Sequence, residues 1–592
     1  MKQFIITMAG VFAGLLLFVV VVPFVLVAAA ASAAKPQAVP AQTVISLDLR
    51  QTITDQEPVN PLVSIGRRQL SVMSVIEALR RAETDDRVKA VFVRLPEGGM
   101  EPGAADELRA ALKHFRASGK KVIAHSQGLY PSGPVVSTYM LGAAADELWM
   151  QPGASFQVTG MATEDIFLKR AFDKYGVKAD FEQRYEYKNA VNPYLYSDYT
   201  PSHRESNLSW MGSVFANTIG AAAVDRKKDP ALLRTTLEKG PYLAEAAQAA
   251  GLVDKVGQVK EAETAALAIA GSGAELMDLD DYGRASRARS RSGDAAQIAV
   301  VEAEGPIVTG RDGSTNPFSG SSTIYSDDIS KALYDAAKDK DIKAIVFRVN
   351  SPGGSDTASE QILAGVRAAK AAKKPVVVSM GTYGASGGYW IASEASAIVA
   401  QPSTLTGSIG VFGGKFVLGP ALARFGVDIR ETNVGSEYAG AFGVSREFKP
   451  EERAAFAGWM DQIYGNFLQR VAAGRNLPLQ KVQAIAKGRV WTGAQAKELG
   501  LVDEVGGFYQ AVDKAKALAG IKGEARLKRM SRPSSPFEAL ERALGVSATS
   551  VRTLAAAAWL FGDPRAEGIL DNLVDAWLRS QGATVLAPRL AN

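Results

Sequence analysis

The chain has 592 residues, 47% of them apolar and 22% charged, with a formal net charge of +5 and no cysteine. That balance is ordinary for a folded globular protein, the small charge gives no footing for nucleic acid, and the missing cysteines exclude a thiol nucleophile, a disulfide framework and a Cys-based zinc site. The length is too great for one core and predicts about three or four units.

Residues 4–34 contain no charged side chain, and 12–27 are dense in Leu, Val and Phe. The run exceeds the roughly 20 residues that span a bilayer as a helix, so a single transmembrane anchor is expected at 4–34, with the rest of the chain on one side. The rival reading is a cleaved secretory signal, since Lys2 gives a basic start and Ala31 to Ala34 a small-residue cleavage site. Secretory cores usually run about 7 to 15 residues, which favours the anchor.

Residues 88–254 then recur roughly 250 positions later, a duplication at a nearly constant register. Val88-Lys89-Ala90-Val91 is echoed by Ile342-Lys343-Ala344-Ile345, Arg94 by Arg348, Gln151-Pro152 by Gln401-Pro402 and Gly251-Leu252-Val253-Asp254 by Gly500-Leu501-Val502-Asp503. Two domains are expected, 44–281 and 297–530. Between them lies an exposed linker, 282–296, carrying Arg284, Arg287, Arg289 and Arg291. Within each half β-rich runs alternate with helical ones, the pattern of an α/β fold with a parallel sheet. The clearest unit is a strand at 345–349, a loop at 350–355, a helix at 358–372 and a strand at 376–379. Right-handed crossovers place the loops after such strands side by side, where ligands bind. Residues 310–322 read as a Gly/Ser-rich loop. From 531 to 592 the apolar spacing of Leu554, Trp559, Leu560, Ile569, Leu573 and Trp577 predicts a helical extension.

The two copies keep different polar residues. Only the second reads Gly384-Ala385-Ser386-Gly387-Gly388, and only the first has a lysine where Tyr187-Lys188-Asn189-Ala190 matches Tyr438-Ala439-Gly440-Ala441. Ser386 follows a strand and precedes a helix start, the place of an exposed nucleophilic serine beside free backbone N–H groups; the plainer reading is a helix cap. In the adjacent loop Gly353 and Gly354 can bring an amide against a substrate carbonyl, as an oxyanion hole requires, or simply turn the chain. The three histidines, His114, His125 and His203, all fall in the first half, and neither His114 nor His125 maps beside Ser386. Lys188 is the remaining base, in the manner of Ser-Lys enzymes, provided that burial among Tyr185, Tyr187, Val191 and Tyr194 depresses its pKa. Ser408, in Thr406-Gly407-Ser408-Ile409-Gly410, is a candidate to orient that amine, or an ordinary turn serine. No metal or cofactor is expected.

Tyr187-Lys188-Asn189-Ala190-Val191, Arg348-Val349-Asn350-Ser351-Pro352-Gly353-Gly354-Ser355, Ala385-Ser386-Gly387-Gly388-Tyr389-Trp390 and Thr406-Gly407-Ser408-Ile409-Gly410 together resemble the signal peptide peptidase A (protease IV) family of the long, duplicated Gram-negative type. The resemblance covers about residues 44–530. It implies two tandem ClpP/crotonase-like domains behind the anchor and a single-pass protein of the inner membrane with its catalytic domains in the periplasm. It also implies a homotetramer in contact with membrane lipid, and a serine endopeptidase with Ser386 as nucleophile and Lys188 as base acting on signal peptides left after secretion. The Arg-rich linker and the tail depart from the family pattern. The alternatives are a crotonase-like acyl-CoA enzyme, for which no acidic pair follows the Gly-rich loops, and a membrane-tethered oligomeric scaffold without catalysis.

Overall fold

The computed structural model describes residues 38–57, 70–287, 295–311 and 322–530, with the strand Val585–Leu586. The apolar run at 4–34, most of the 310–322 loop and all of the expected helical extension except Val585–Leu586, which is a strand, lie outside the described residues. Among the described residues no helix is long and apolar enough to cross a membrane.

Each half is built on its own sheet. The front sheet has six strands, all parallel, in the order Lys255–Val256, Glu147–Met150, Lys121–Ser126, Val88–Arg94, Thr43–Asp48 and Glu275–Asp278. The rear sheet runs Val490–Thr492, Leu405–Gly407, Val376–Ala385, Ile342–Ser351, Gln297–Glu304 and Arg526–Arg529, with Ala397–Ala400 and Glu504–Val505 joined at its side. Only its first pair is antiparallel. Near-continuous apolar runs such as Val376-Val377-Val378 suit strands covered on both faces. The strand predicted at 376–379 extends to Ala385, and it is buried throughout. The helix predicted from 358 starts at Asp356, because the Ser355 hydroxyl accepts the Ala358 N–H and caps it.

The halves share one core. The helix Phe508–Leu518 covers the rear-sheet face formed by Ile298, Val300, Val346, Val377 and Val399, and packs on the front-half helices Val72–Glu83 and Pro102–Ala117. The other face of the rear sheet carries a separate core under the helices Ser326–Lys338, Asp356–Ala371 and Pro450–Arg475. The linker expected from residue 282 instead begins inside the helix Leu279–Arg287. Tyr282 is fully buried there, its hydroxyl donating to Asp85 Oδ2 at 3.3 Å, and Arg81 Nε donates to Ser286 Oγ at 2.9 Å. Leu279, Tyr282 and Ser286 share one helix face, and that face holds the chain on the front core before the Arg-rich stretch departs.

Candidate active site

The strand Val376–Ala385 delivers Ser386. Its ladder with Ile342–Ser351 pairs Val349 with Met380 and then Ser351 with Gly384, so extra residues bulge out between them. Bulges re-aim the chain beside functional sites, and this one is held by side chains. Asn350 Oδ1 accepts the Tyr383 N–H at 2.9 Å, and the hydroxyls of Thr404 and Thr406 donate to the carbonyls of Gly381 and Gly384, each at 2.7 Å. The Asn350 amide in turn donates to Glu304 Oε1 at 3.2 Å, and the Glu304 carboxylate accepts the backbone N–H groups of Asp55 and Gln56 at 2.9 and 3.0 Å. A front-half turn thus reaches the bulge that precedes the serine.

Ser386 has φ 55° and ψ −119°, outside the regions open to a serine without strain. Its N–H is held by the Gly407 carbonyl at 2.8 Å, and the helix Gly387–Ala392 starts directly after it. Backbone strain of this kind is stored where the surroundings over-determine the conformation. The serine was expected at an exposed helix start; it is fully buried, because the glycine loop and Lys188 close over it.

Lys188 arrives from the other half. The strand Lys178–Gln183 lies outside the front sheet and pairs antiparallel with Phe412–Val417 of the rear half, and the Arg184 N–H extends the ladder to the Val411 carbonyl at 2.8 Å. The lysine is 1% exposed. Its Nζ lies 2.7 Å from Ser386 Oγ, 3.0 Å from Ser408 Oγ and 3.1 Å from the Ser408 carbonyl. Gly488, at φ 81°, makes room for it: a Cβ there would meet Lys188 Cβ at 2.6 Å. Burial alone holds the lysine well below the usual ammonium range, with no carboxylate pulling it back. A neutral amine has two N–H donors and one lone pair. In that form, with the two donors on the Ser408 carbonyl and hydroxyl, the lone pair would face the Ser386 hydroxyl.

The Gly353–Gly354 strand borders the same spot. A Cβ on Gly387 would lie 3.2 Å from Gly353 Cα and 3.0 Å from the Gly354 nitrogen, so the loop packs directly on the helix that starts after Ser386. Gly353 sits at φ 112°, open to glycine alone, and its N–H donates to Ser351 Oγ at 3.1 Å. A Cβ on Gly354 would fall 2.0 Å from the Ile307 carbonyl oxygen. The edge of this short strand is taken antiparallel by Val585–Leu586. The histidines lie elsewhere: His114 pairs with Glu83 at 2.9 Å, His125 is buried against the Gly257 carbonyl at 3.1 Å, and His203 packs under Tyr199.

Sequence reasoning matched Arg348 to Arg94 and missed its work. Arg348 is fully buried in the rear sheet and reaches across to the front half, binding Asp55 Oδ1 at 2.6 Å and Glu107 Oε2 at 3.0 Å. Burial alone would lower its pKa, but the two carboxylates raise it above the ordinary guanidinium value. The signal was one arginine inside the apolar run Val346-Phe347-Arg348-Val349, since a buried charge demands a partner.

A family model described as "Peptidase family S49" matches residues 114–271 and 368–522, one segment in each half, which defines the protein as a serine peptidase. The chain belongs to peptidase family S49. It is 32% identical over 507 residues to "Protease 4" of Salmonella typhi, covering 81% of this chain and 79% of that one. It is 29% identical to "Serine protease SPPA, chloroplastic" of Arabidopsis thaliana, covering 86% of this chain and 75% of the other. A shorter match, 34% identical over 30% of this chain and 52% of the relative, is to "Putative signal peptide peptidase SppA" of Enterococcus faecium.

Proposed function

We propose that Ser386 and Lys188 form the catalytic dyad of a single peptidase site shared by the two halves, each half being a ClpP/crotonase-like domain. The observation that carries this reading is the 2.7 Å contact between Lys188 Nζ and Ser386 Oγ in a site where burial pushes the amine's pKa well below the usual ammonium range. The amine takes the hydroxyl proton as Oγ attacks the peptide carbonyl, and it passes that proton to the departing amine as the C–N bond breaks. It then activates the water that releases the acyl group from Ser386. Ser408 holds the amine, and the Gly353 or Gly354 N–H, with a backbone N–H beside Ser386, stabilises the oxyanion. No metal or cofactor takes part.

The substrates are extended peptides, and the name of the Enterococcus faecium relative supports signal peptides as their class. In this reading residues 4–34 anchor the chain in lipid of the cytoplasmic membrane, the two domains lie in the periplasm, and four copies assemble. The test uses the full chain in detergent with a synthetic signal peptide. Ser386→Ala and Lys188→Ala each abolish cleavage without loss of fold, and a serine-directed acylating probe labels Ser386 alone. Cleavage surviving in either variant refutes the dyad.

A further inference from the structure

The arm that carries Lys188 across to the rear half has a twin, residues 418–433, whose last six residues join no ladder among the described residues. Leu168, Ala171, Gly176 and Val177 of the front half recur as Leu418, Ala421, Gly426 and Val427, and the local structure recurs with them. Leu168 and Leu418 precede their short helices with φ −99°, ψ −5° and φ −107°, ψ −14°. Gly176 and Gly426 take φ 79° and 74°. The Val177 N–H donates to the Phe172 carbonyl at 3.0 Å and the Val427 N–H to the Leu422 carbonyl at 3.2 Å. In this frame the strand Lys178–Gln183 corresponds to residues 428–433, and its partner Phe412–Val417 corresponds to residues 162–167.

Only one of the two matching joints is made within the chain, that between Lys178–Gln183 and Phe412–Val417. Residues 162–167 and 428–433 form no strand. Around them Ile166 and Phe425 are each 78% exposed and Val434 94%. Deepening the tetramer reading above, we infer that residues 428–433 of one copy lie antiparallel along residues 162–167 of the next, repeating between chains the joint that Lys178–Gln183 makes within one. Free edges of this kind are met by another strand. The register transferred from the internal joint sets Ile429 opposite Ile166 and Arg430 opposite Asp165, an apolar pair and a pair of opposite charges, both favourable across strands; between the next two residues it sets Glu164 opposite Glu431, whose charge is already met by Arg446 at 3.0 Å. The Arg430 side chain is 80% exposed and is otherwise met by its neighbour Asp428 at 3.3 Å, while Asp165 Oδ2 accepts from Asn207 Nδ2 at 3.4 Å and has room for a second donor. The contact is head-to-tail, so successive copies generate a ring when the rotation closes. It builds no second dyad, because Ala439 stands where the front arm has its lysine.

The chain has no cysteine, so introduced ones report cleanly. Directly opposed antiparallel residues have Cβ atoms about 4.5 to 5.5 Å apart, close enough for a disulfide after slight adjustment. On oxidation the full-length Ile166→Cys/Ile429→Cys variant links into a ladder of multimers on a non-reducing gel. The two single variants, mixed by co-expression, link only to dimers, and neither links alone. Arg430→Glu weakens assembly at least tenfold on dilution, and adding Asp165→Arg restores it. Tetramers that neither cross-link nor respond to Arg430→Glu overturn the joint and leave the tetramer standing. A monomer at every concentration overturns both, while peptide cleavage by that monomer leaves the dyad intact.

Discussion

Ser408→Ala is the sharpest probe of how the amine is aimed. The hydroxyl accepts one of the two amine N–H groups at 3.0 Å, while the Ser408 carbonyl holds the other at 3.1 Å. Removing it leaves a buried donor unsatisfied, which costs roughly 1–3 kcal/mol. That cost falls on the arrangement in which the lone pair faces Ser386, and at about 1.36 kcal/mol per factor of ten it lowers kcat about 5- to 150-fold. KM is expected to change little, because Ser408 is buried and bonds the lysine amine. Ser408 sits at φ 47°, so Ser408→Gly relieves the backbone while also lacking the hydroxyl. The assay is steady-state hydrolysis of a fluorogenic peptide by all three proteins, with thermal melts to confirm folding. Equal losses in the alanine and glycine variants support orientation by the hydroxyl. A kcat for Ser408→Ala within twofold of wild type refutes it.

Lys188→Met abolishes cleavage and raises the melting temperature at neutral pH, because a buried amine is replaced by an apolar chain of similar length. The sign follows from linkage: the unfolded lysine keeps its proton to about pH 10.4, the buried one releases it lower, and between those values wild-type stability rises with pH; chemical denaturation across pH shows that slope vanish in the variant. By the same shift, wild-type kcat falls as pH drops through the depressed lysine value. Asn350→Ala frees the Tyr383 amide and loosens the bulge before Ser386, lowering kcat on the order of tenfold or more while KM holds, consistent with the sensitivity of catalysis to small misplacements; an unchanged kcat denies the bulge any positioning role. Arg348→Met leaves Asp55 and Glu107 buried without their counter-charge and destabilises the protein by about 3–5 kcal/mol, read as a lower denaturant midpoint; a shift of less than about 1 kcal/mol means the carboxylates find other partners or protonate.

Much of this site was legible because duplication acts as an internal control. The loss of the lysine at Ala439 and the absence of a Gly-Ala-Ser-Gly-Gly turn from the first copy single out Lys188 and Ser386 without any alignment to other proteins. The strand ends were harder. The rear strands run longer than their apolar runs, to Ser351 and Ala385, since a bulge lets the chain continue through Gly381 and Gly384 where no β-propensity points. Asn350 looked like one residue of a turn, and its bond to Tyr383 is invisible in sequence because the two are paired by a register shift. The Asp55–Glu304–Asn350 chain spans both repeats, and local patterning carries no information about contacts so distant. Tyr282 shows the opposite error: Arg and Ser content masked a helix face with a buried ring.

In the proposed dyad the nucleophile and its base lie in different domains, 198 residues apart, and that separation also sets a clock on the newborn enzyme. At synthesis rates of about 5–20 residues per second, roughly 10 to 40 s separate the emergence of the amine from that of the hydroxyl. During that interval the front half lacks both the hydroxyl and the helix Phe508–Leu518 that completes the shared core, so it has no means of cutting any chain, its own included. In this reading proteolytic power arrives only when the rear half closes against the front, so a translation product that stops short of Ser386 is harmless.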